Sequence, residues 1–270
     1  MEEKNKISKK IILYFIGIGL VSFLLGTLVM IIPEETGPED NFCNVMVLSL
    51  NGVLATYLPP KSEDDSEMFY SSENVLAAIE KAENDPDVKG LILSINSPGG
   101  DIVAGEEIAN ALKAMKKPNV AVIRNMGASA AFLASSGADR VYASKLSDTV
   151  GIGVTMSYTD QTEKNRKEGL TFNQLSTGKF KDAGDPDKPL TEEEKLIFMI
   201  DLEKAHKIFV EEIAQNRNLK IEDVSKISTG RTYLGEEALN FGLIDEIGSI
   251  DTAVKYIESL TGEKAETCWY

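Results

Sequence analysis

The run Gly90-Leu91-Ile92-Leu93-Ser94-Ile95 is apolar almost throughout and does not alternate. A strand with one wet face alternates polar and apolar residues. A run like this has to be covered on both faces, as happens where crossover helices flank a parallel sheet. The strand is predicted over residues 88–95, and the pattern repeats around it. Residues 45–54 and 120–124 read as further strands, and 140–143 as a short one. Between them lie helical spacings: Val75, Leu76, Ile79 and Ala82 after a cap at Ser72, then Ala104, Ile108, Leu112 and Met115. Residues 191–217 form a long amphipathic helix carrying Phe198, Leu202, Ala205, Phe209 and Ile213 at helical spacing. Strand–helix alternation of this kind implies an α/β domain with parallel strands. The segment 57–71 is polar, holds Pro59-Pro60, and reads as an exposed loop.

The N-terminus carries a second strong signal. Lys4, Lys6, Lys9 and Lys10 precede an uncharged stretch over residues 11–32 that Pro33 ends. As a helix it spans roughly 33 Å, close to the hydrocarbon thickness of a bilayer. It is longer than a signal-peptide core and lacks a small-residue cleavage site after it. The expectation is therefore a retained anchor, single-pass in the cell membrane. The lysines of residues 1–10 stay cytoplasmic and everything after Pro33 lies outside. The expected boundaries are a basic segment over 1–10, an anchor over 11–32, a linker over 33–43, a catalytic domain over 44–262 and a C-terminal tail over 263–270.

Composition excludes several chemistries. The net charge of −15 argues against a nucleic-acid partner, because phosphate binding needs a basic surface. The two cysteines, Cys43 and Cys268, supply neither a zinc site nor a disulfide framework, and a single bridge between them stays open. No metal site or cofactor motif is found. The single histidine, His206, lies mid-helix beside the apolar stripe and reads as a surface residue, an unpromising base for a Ser-His-Asp triad.

Three segments remain as candidates for chemistry. In Ser97-Pro98-Gly99-Gly100 a strand breaks into glycines and then a helix, exposing backbone N–H groups that can hold developing negative charge. The bland alternative is a plain strand-to-helix turn. In Gly127-Ala128-Ser129-Ala130-Ala131-Phe132 a strand ends and a small-residue helix begins at Ser129, which is either a nucleophile or only an N-cap. The irregular stretch from Gly178 to Pro186 holds Lys179 and Lys181, either of which becomes a base only if its charge is made costly.

Taken in this order and at this spacing, the segments resemble the signal peptide peptidase A family, a Ser-Lys branch related to the ClpP and crotonase folds. The resemblance rests on Ser94 to Gly100, on Gly127 to Phe132, and on the stretch Gly230-Arg231-Thr232-Tyr233-Leu234-Gly235 continuing to Gly248. It extends from Val45 to about Leu260. It implies a ClpP/crotonase-like repeated β-β-α spiral domain preceded by one transmembrane helix. By position, Ser129 matches the family nucleophile and Lys181 its general base, while Lys179 does not match. Gly99 or Gly100 matches the backbone donor of the oxyanion hole, with the Ala130 N–H as a second donor. The family commonly has Gly-Gly after the serine where this chain has Ala130-Ala131, and a backbone donor survives that change at negative φ. The resemblance further implies peptide substrates, above all signal peptides, a homo-oligomer whose neighbouring subunits shape the site, and no cofactor. Two other readings compete: an acyl-CoA enzyme of the crotonase type, and a non-catalytic membrane scaffold of the same fold.

Overall fold

A computed structural model describes residues 43–58 and 69–270. The expected anchor and cytoplasmic segment, nearly all of the linker, and residues 59–68 of the expected loop lie outside the described residues. Among the described residues no helix is long and apolar enough to cross a membrane.

In chain order the elements are β1 (Val45–Ala55), β2 (Phe69–Ser71), α1 (Ser72–Asn84), β3 (Gly90–Gly100), α2 (Ile102–Ala114), β4 (Asn119–Ala128), α3 (Ala130–Ser136), β5 (Arg140–Ala143) and β6 (Asp148–Val150). There follow α4 (Thr162–Lys167), α5 (Glu192–Asn216), α6 (Ile221–Ile227), β7 (Thr232–Leu234), α7 (Gly235–Asn240), β8 (Glu246–Ile247), α8 (Ile250–Thr261) and β9 (Thr267–Trp269). The main sheet runs β2-β1-β3-β4-β5-β8, every pair parallel. The C-terminal end of β4 leaves β5 and pairs instead with β6, which pairs antiparallel with β7.

Both faces of the sheet are covered, as the unalternating run requires. Met46, Leu48, Leu50, Leu91, Leu93, Ile95, Ala121 and Ile123 enter the core that packs against the faces of α1, α2 and α3. The intervening Val45, Val47, Ile92, Val120 and Val122 enter a second cluster closed by Ala253 and Ile257 of α8. Fully burying one such side chain contributes about 1.5–3 kcal/mol.

Local chemistry sets the helix ends. Ser71, not Ser72, caps α1, its side chain accepting the Asn74 N–H at 3.1 Å. Asp85-Pro86 ends the helix, because a residue before proline is driven out of helical φ/ψ. Thr191 caps α5 in a reciprocal box with Glu194. The expected stripe on α5 is only half used. Phe209 and Ile213 are buried, whereas Phe198, Leu202 and Ala205 are half-buried, and Leu196, Met199, Ile200 and Ile208 face solvent.

Two segments differ from the sequence reading. Phe69–Ser71, placed in a loop, forms β2 on β1. Residues 263–270, assigned to a tail, carry β9, which lies parallel to β1 with Thr267, Cys268 and Trp269 opposite Val45, Met46 and Val47. Three residues with little apolar periodicity give no strand signal; what holds them is the edge of β1 and a covalent bond. Cys43 and Cys268 form a disulfide with a Cα–Cα distance of 5.6 Å, closing a loop across 225 positions. Replacing both cysteines by serine is expected to lower stability by about 2–5 kcal/mol, because a long loop regains its closure entropy when unfolded. The shift in urea midpoint at unchanged m-value measures it.

Candidate active site

Two of the three candidate segments meet in the structure. At the end of β3 the chain passes through Gly99 (φ 102°) and Gly100 (φ 147°), backbone that side chains rarely adopt. A methyl group on Gly100 would fall 2.2 Å from the Leu54 carbonyl oxygen of β1. One on Gly99 would fall 2.7 Å from Ser129 Cβ and from the Ala128 oxygen, and 3.0 Å from the Ala130 nitrogen. Only glycines allow the β3 turn to lie directly against the turn carrying Ser129.

Ser129 sits between β4 and α3 at φ 54°, ψ −127°. Positive φ at a serine is uncommon and costs on the order of 1–3 kcal/mol, so the surroundings must hold it. Its N–H donates to the Val150 carbonyl at 2.7 Å, and its own carbonyl accepts from Phe132 and Leu133. The expected N-cap hydrogen bond from its side chain is absent. The hydroxyl is thereby left for other partners on a half-buried residue, in the manner of a strained nucleophile elbow. Every residue of α3 is buried. Ala130 and Ala131 take negative φ, so the amide direction is the one glycines would give there. Their N–H groups open the helix and have no intrahelical acceptor. The Gly99 N–H donates to Ser97 Oγ at 3.1 Å.

Val150 was not anticipated. It is buried, β-branched and at φ 75°, followed by Gly151 at φ 60°. Pairing of β6 with β4 and β7 fixes it, and Thr149 Oγ1 donates to the Tyr233 carbonyl at 2.8 Å. The close glycine spacing of Gly151-Ile152-Gly153 was the available signal. The stretch 232–234, which forms β7, thus braces the strand whose end holds Ser129.

Lys181 is exposed, in a run of turns whose backbone closes through the Lys181 N–H to the Gly178 carbonyl at 3.1 Å. Among the described residues its ammonium makes no ion pair, and nothing bonds it to Ser129. Lys179 is already committed: it pairs with Glu193 at 2.5 Å and lies 5.3 Å from the Phe180 ring centre. The segment following Lys181 is pinned to its surroundings. Pro186 accepts from Gln161, Asp187 from the Asn165 amide at 2.7 Å, and Lys188 pairs at 2.5 Å with the buried Glu194. The Lys188 ammonium, then the Thr191 amide, hold the Glu194 carboxyl down to about 2. A depressed carboxyl stabilises the fold above its unfolded value near 4.5 and loses that contribution as pH falls toward about 2. Glu194→Gln is therefore expected to be less stable than wild type at pH 6, with the gap narrowing between pH 4.5 and 2. Urea titrations at stepped pH measure it.

His206 differs from a plain surface residue. It is half-buried, and its Nε2 lies 3.0 Å from the Ser228 carbonyl. A cleft of about 570 Å³, lined by Asn96, Arg124, Asn125, Ser144, Ser147 and Ser249 among others, is bordered by none of Ser129, Gly99, Gly100, Ala130 or Lys181.

Comparison with known proteins bears on the family and the fold. The profile of Peptidase family S49 matches residues 111–264, and that of Clp protease residues 65–150. A putative protease of Methanocaldococcus jannaschii is 34% identical over 243 residues, covering 89% of this chain and 76% of the relative. A putative signal peptide peptidase SppA of Enterococcus faecium is 32% identical over 245 residues, covering 87% and 68%. Protease 4 of Haemophilus influenzae is 29% identical over 223 residues, covering 82% and 36%. A ClpP1 mutant from Listeria monocytogenes superposes with a TM-score of 0.50 at 16% identity, covering 77% of this chain and 93% of that one. The fold is ClpP-like.

Proposed function

The chain belongs to peptidase family S49 and is a serine protease, and from that premise we propose a membrane-anchored endopeptidase that uses Ser129 and Lys181 to degrade signal peptides and other membrane-proximal peptides. The observation that carries the assignment is the contact between the Gly99 turn and an uncapped, strained Ser129. A peptide carbonyl entering there meets the hydroxyl and the backbone donors together.

In the proposed mechanism neutral Lys181 takes the Ser129 proton as Oγ attacks the carbonyl carbon. The Gly99 and Ala130 amides hold the tetrahedral oxyanion. Protonated Lys181 then gives its proton to the leaving amine, and water hydrolyses the acyl-enzyme. The exposed position of Lys181 fits a site completed by assembly, in which the lysine of one subunit reaches the serine of its neighbour. The half-covered α5 supports the same reading, since Leu196, Met199, Ile200 and Ile208 await cover. The Cys43–Cys268 disulfide supports an extracytoplasmic catalytic domain, because such bonds persist in oxidising compartments.

A fluorophosphonate probe on the full chain in detergent tests the nucleophile: one adduct per chain, mapped to Ser129, is expected. An adduct elsewhere refutes the assignment. Mixing Ser129→Ala with Lys181→Ala subunits tests the assembly. Sites built across subunits regain activity in the mixed oligomer, and sites built within one chain do not.

A further inference from the structure

We infer that Trp269 and Tyr270 form an aromatic foot that rests in the headgroup layer of the membrane, beside the point where the chain enters the domain. The inference deepens the anchored reading above and rests on it.

That entry point is tightly fixed to the C-terminal segment. Cys43 is bonded to Cys268. The Asn44 side chain donates to the Lys264 carbonyl at 2.9 Å and accepts from the Glu266 N–H at 2.8 Å. The Asn44 and Val45 amides both donate to the Glu266 carbonyl. Whatever pulls on residue 42 therefore also holds β9. Ten residues, 33–42, separate the apolar run from Cys43. Even fully extended they reach about 35 Å, so an anchored chain holds this corner within that distance of the bilayer surface.

The chemistry of the corner suits an interface. Trp269 is the single tryptophan of the chain, and it is 54% exposed; Tyr270 is 55% exposed. Trp269 stands opposite Val47 and so presents to the α8 face of the sheet, while Tyr270 lies under Lys81 of α1, whose ammonium is 4.7 Å from the ring centre. The two rings thus flank the sheet edge on opposite faces. Tryptophan and tyrosine partition to the headgroup region, with an apolar body and a polar tip. Lys81 lies over Tyr270 and makes no ion pair among the described residues. The Lys89 amide donates to the Asn44 carbonyl, so Lys89 and Lys264 stand at the same corner, where Lys89 bonds the Pro86 carbonyl and Lys264 pairs with Glu266 at 2.9 Å. A lysine at such a border can lay its stem on apolar surface with its ammonium toward lipid phosphate.

The single tryptophan makes the test direct, on the unaltered full chain. The protein is reconstituted into phosphatidylcholine–phosphatidylglycerol vesicles, with and without bromine on acyl carbons close to the glycerol, and Trp269 emission is read. Flotation on a density gradient is scored in parallel. The expected result is co-flotation, emission shifted to shorter wavelength than in urea, a loss of emission with brominated lipid, and weak quenching by acrylamide. Flotation with long-wavelength emission that acrylamide quenches and bromolipid does not overturns the foot and leaves the anchor standing. Shielding from both quenchers also overturns it, and identifies a second copy of the chain as the cover. Failure to float removes the anchored reading and the foot with it.

Discussion

Ser129→Ala is expected to remove peptide cleavage, by on the order of 10⁴–10⁶ in kcat/KM, while the protein keeps its fold. The size follows from the mechanism: without Oγ no acyl-enzyme forms, and only the oxyanion donors and binding remain. The methyl group of alanine costs little, since the Ser129 side chain makes no cap that the helix would miss. Relief is not expected either, because alanine at φ 54° is as strained as serine. Lys181→Ala falls to a comparable level, whereas Lys179→Ala retains most of the rate, its charge being spent on Glu193. Steady-state rates of cleavage of an unstructured apolar peptide by the three variants decide the matter. Full activity in Ser129→Ala would place the nucleophile elsewhere and end the dyad assignment.

The second large effect is at Gly99. Its methyl derivative has to sit 2.7 Å from Ser129 Cβ, so Gly99→Ala must shift the turn that carries the nucleophile. The N–H survives the substitution, but its direction relative to Oγ does not. Misplacing one oxyanion donor costs about 10²–10³ in kcat with KM little changed, because the donor acts on the transition state and not on the ground-state carbonyl. Gly100→Ala behaves differently. Its methyl meets the Leu54 carbonyl of β1 at 2.2 Å, so the sheet has to move and stability falls along with activity. Thermal unfolding and initial rates on the two variants separate these outcomes. A Gly99→Ala enzyme with wild-type kcat would mean that this turn does not face the reacting carbonyl.

Much of the fold is legible in the sequence because its strands are buried on both faces. Residues 90–95 carry that requirement in their composition, and the parallel order of β1, β3, β4 and β5 follows from it. The long helix was legible to within a residue at each end, since Thr191 and Glu194 form a capping box of local origin. Ser129 and Gly99 were legible as candidates, but their contact was not, being made across the sheet between residues thirty positions apart. Val150 was invisible for a different reason: its function lies in a backbone carbonyl and a positive φ, which no side-chain type announces. β9 escaped because three residues at a chain end have no periodicity to show, and their order comes from β1 and Cys43. The surroundings of Lys181 were not legible in the sequence, because an irregular run of turns carries no periodicity to say what faces its side chains.

The bond between Cys43 and Cys268 has a consequence for a protease exposed to cleavage by other copies of itself. It turns the domain into a covalent ring interrupted by nothing from residue 43 to residue 268. A single self-inflicted cut anywhere in that ring linearises it without releasing a fragment. A nicked subunit therefore migrates as an intact chain on a non-reducing gel and splits in two only when thiol is added.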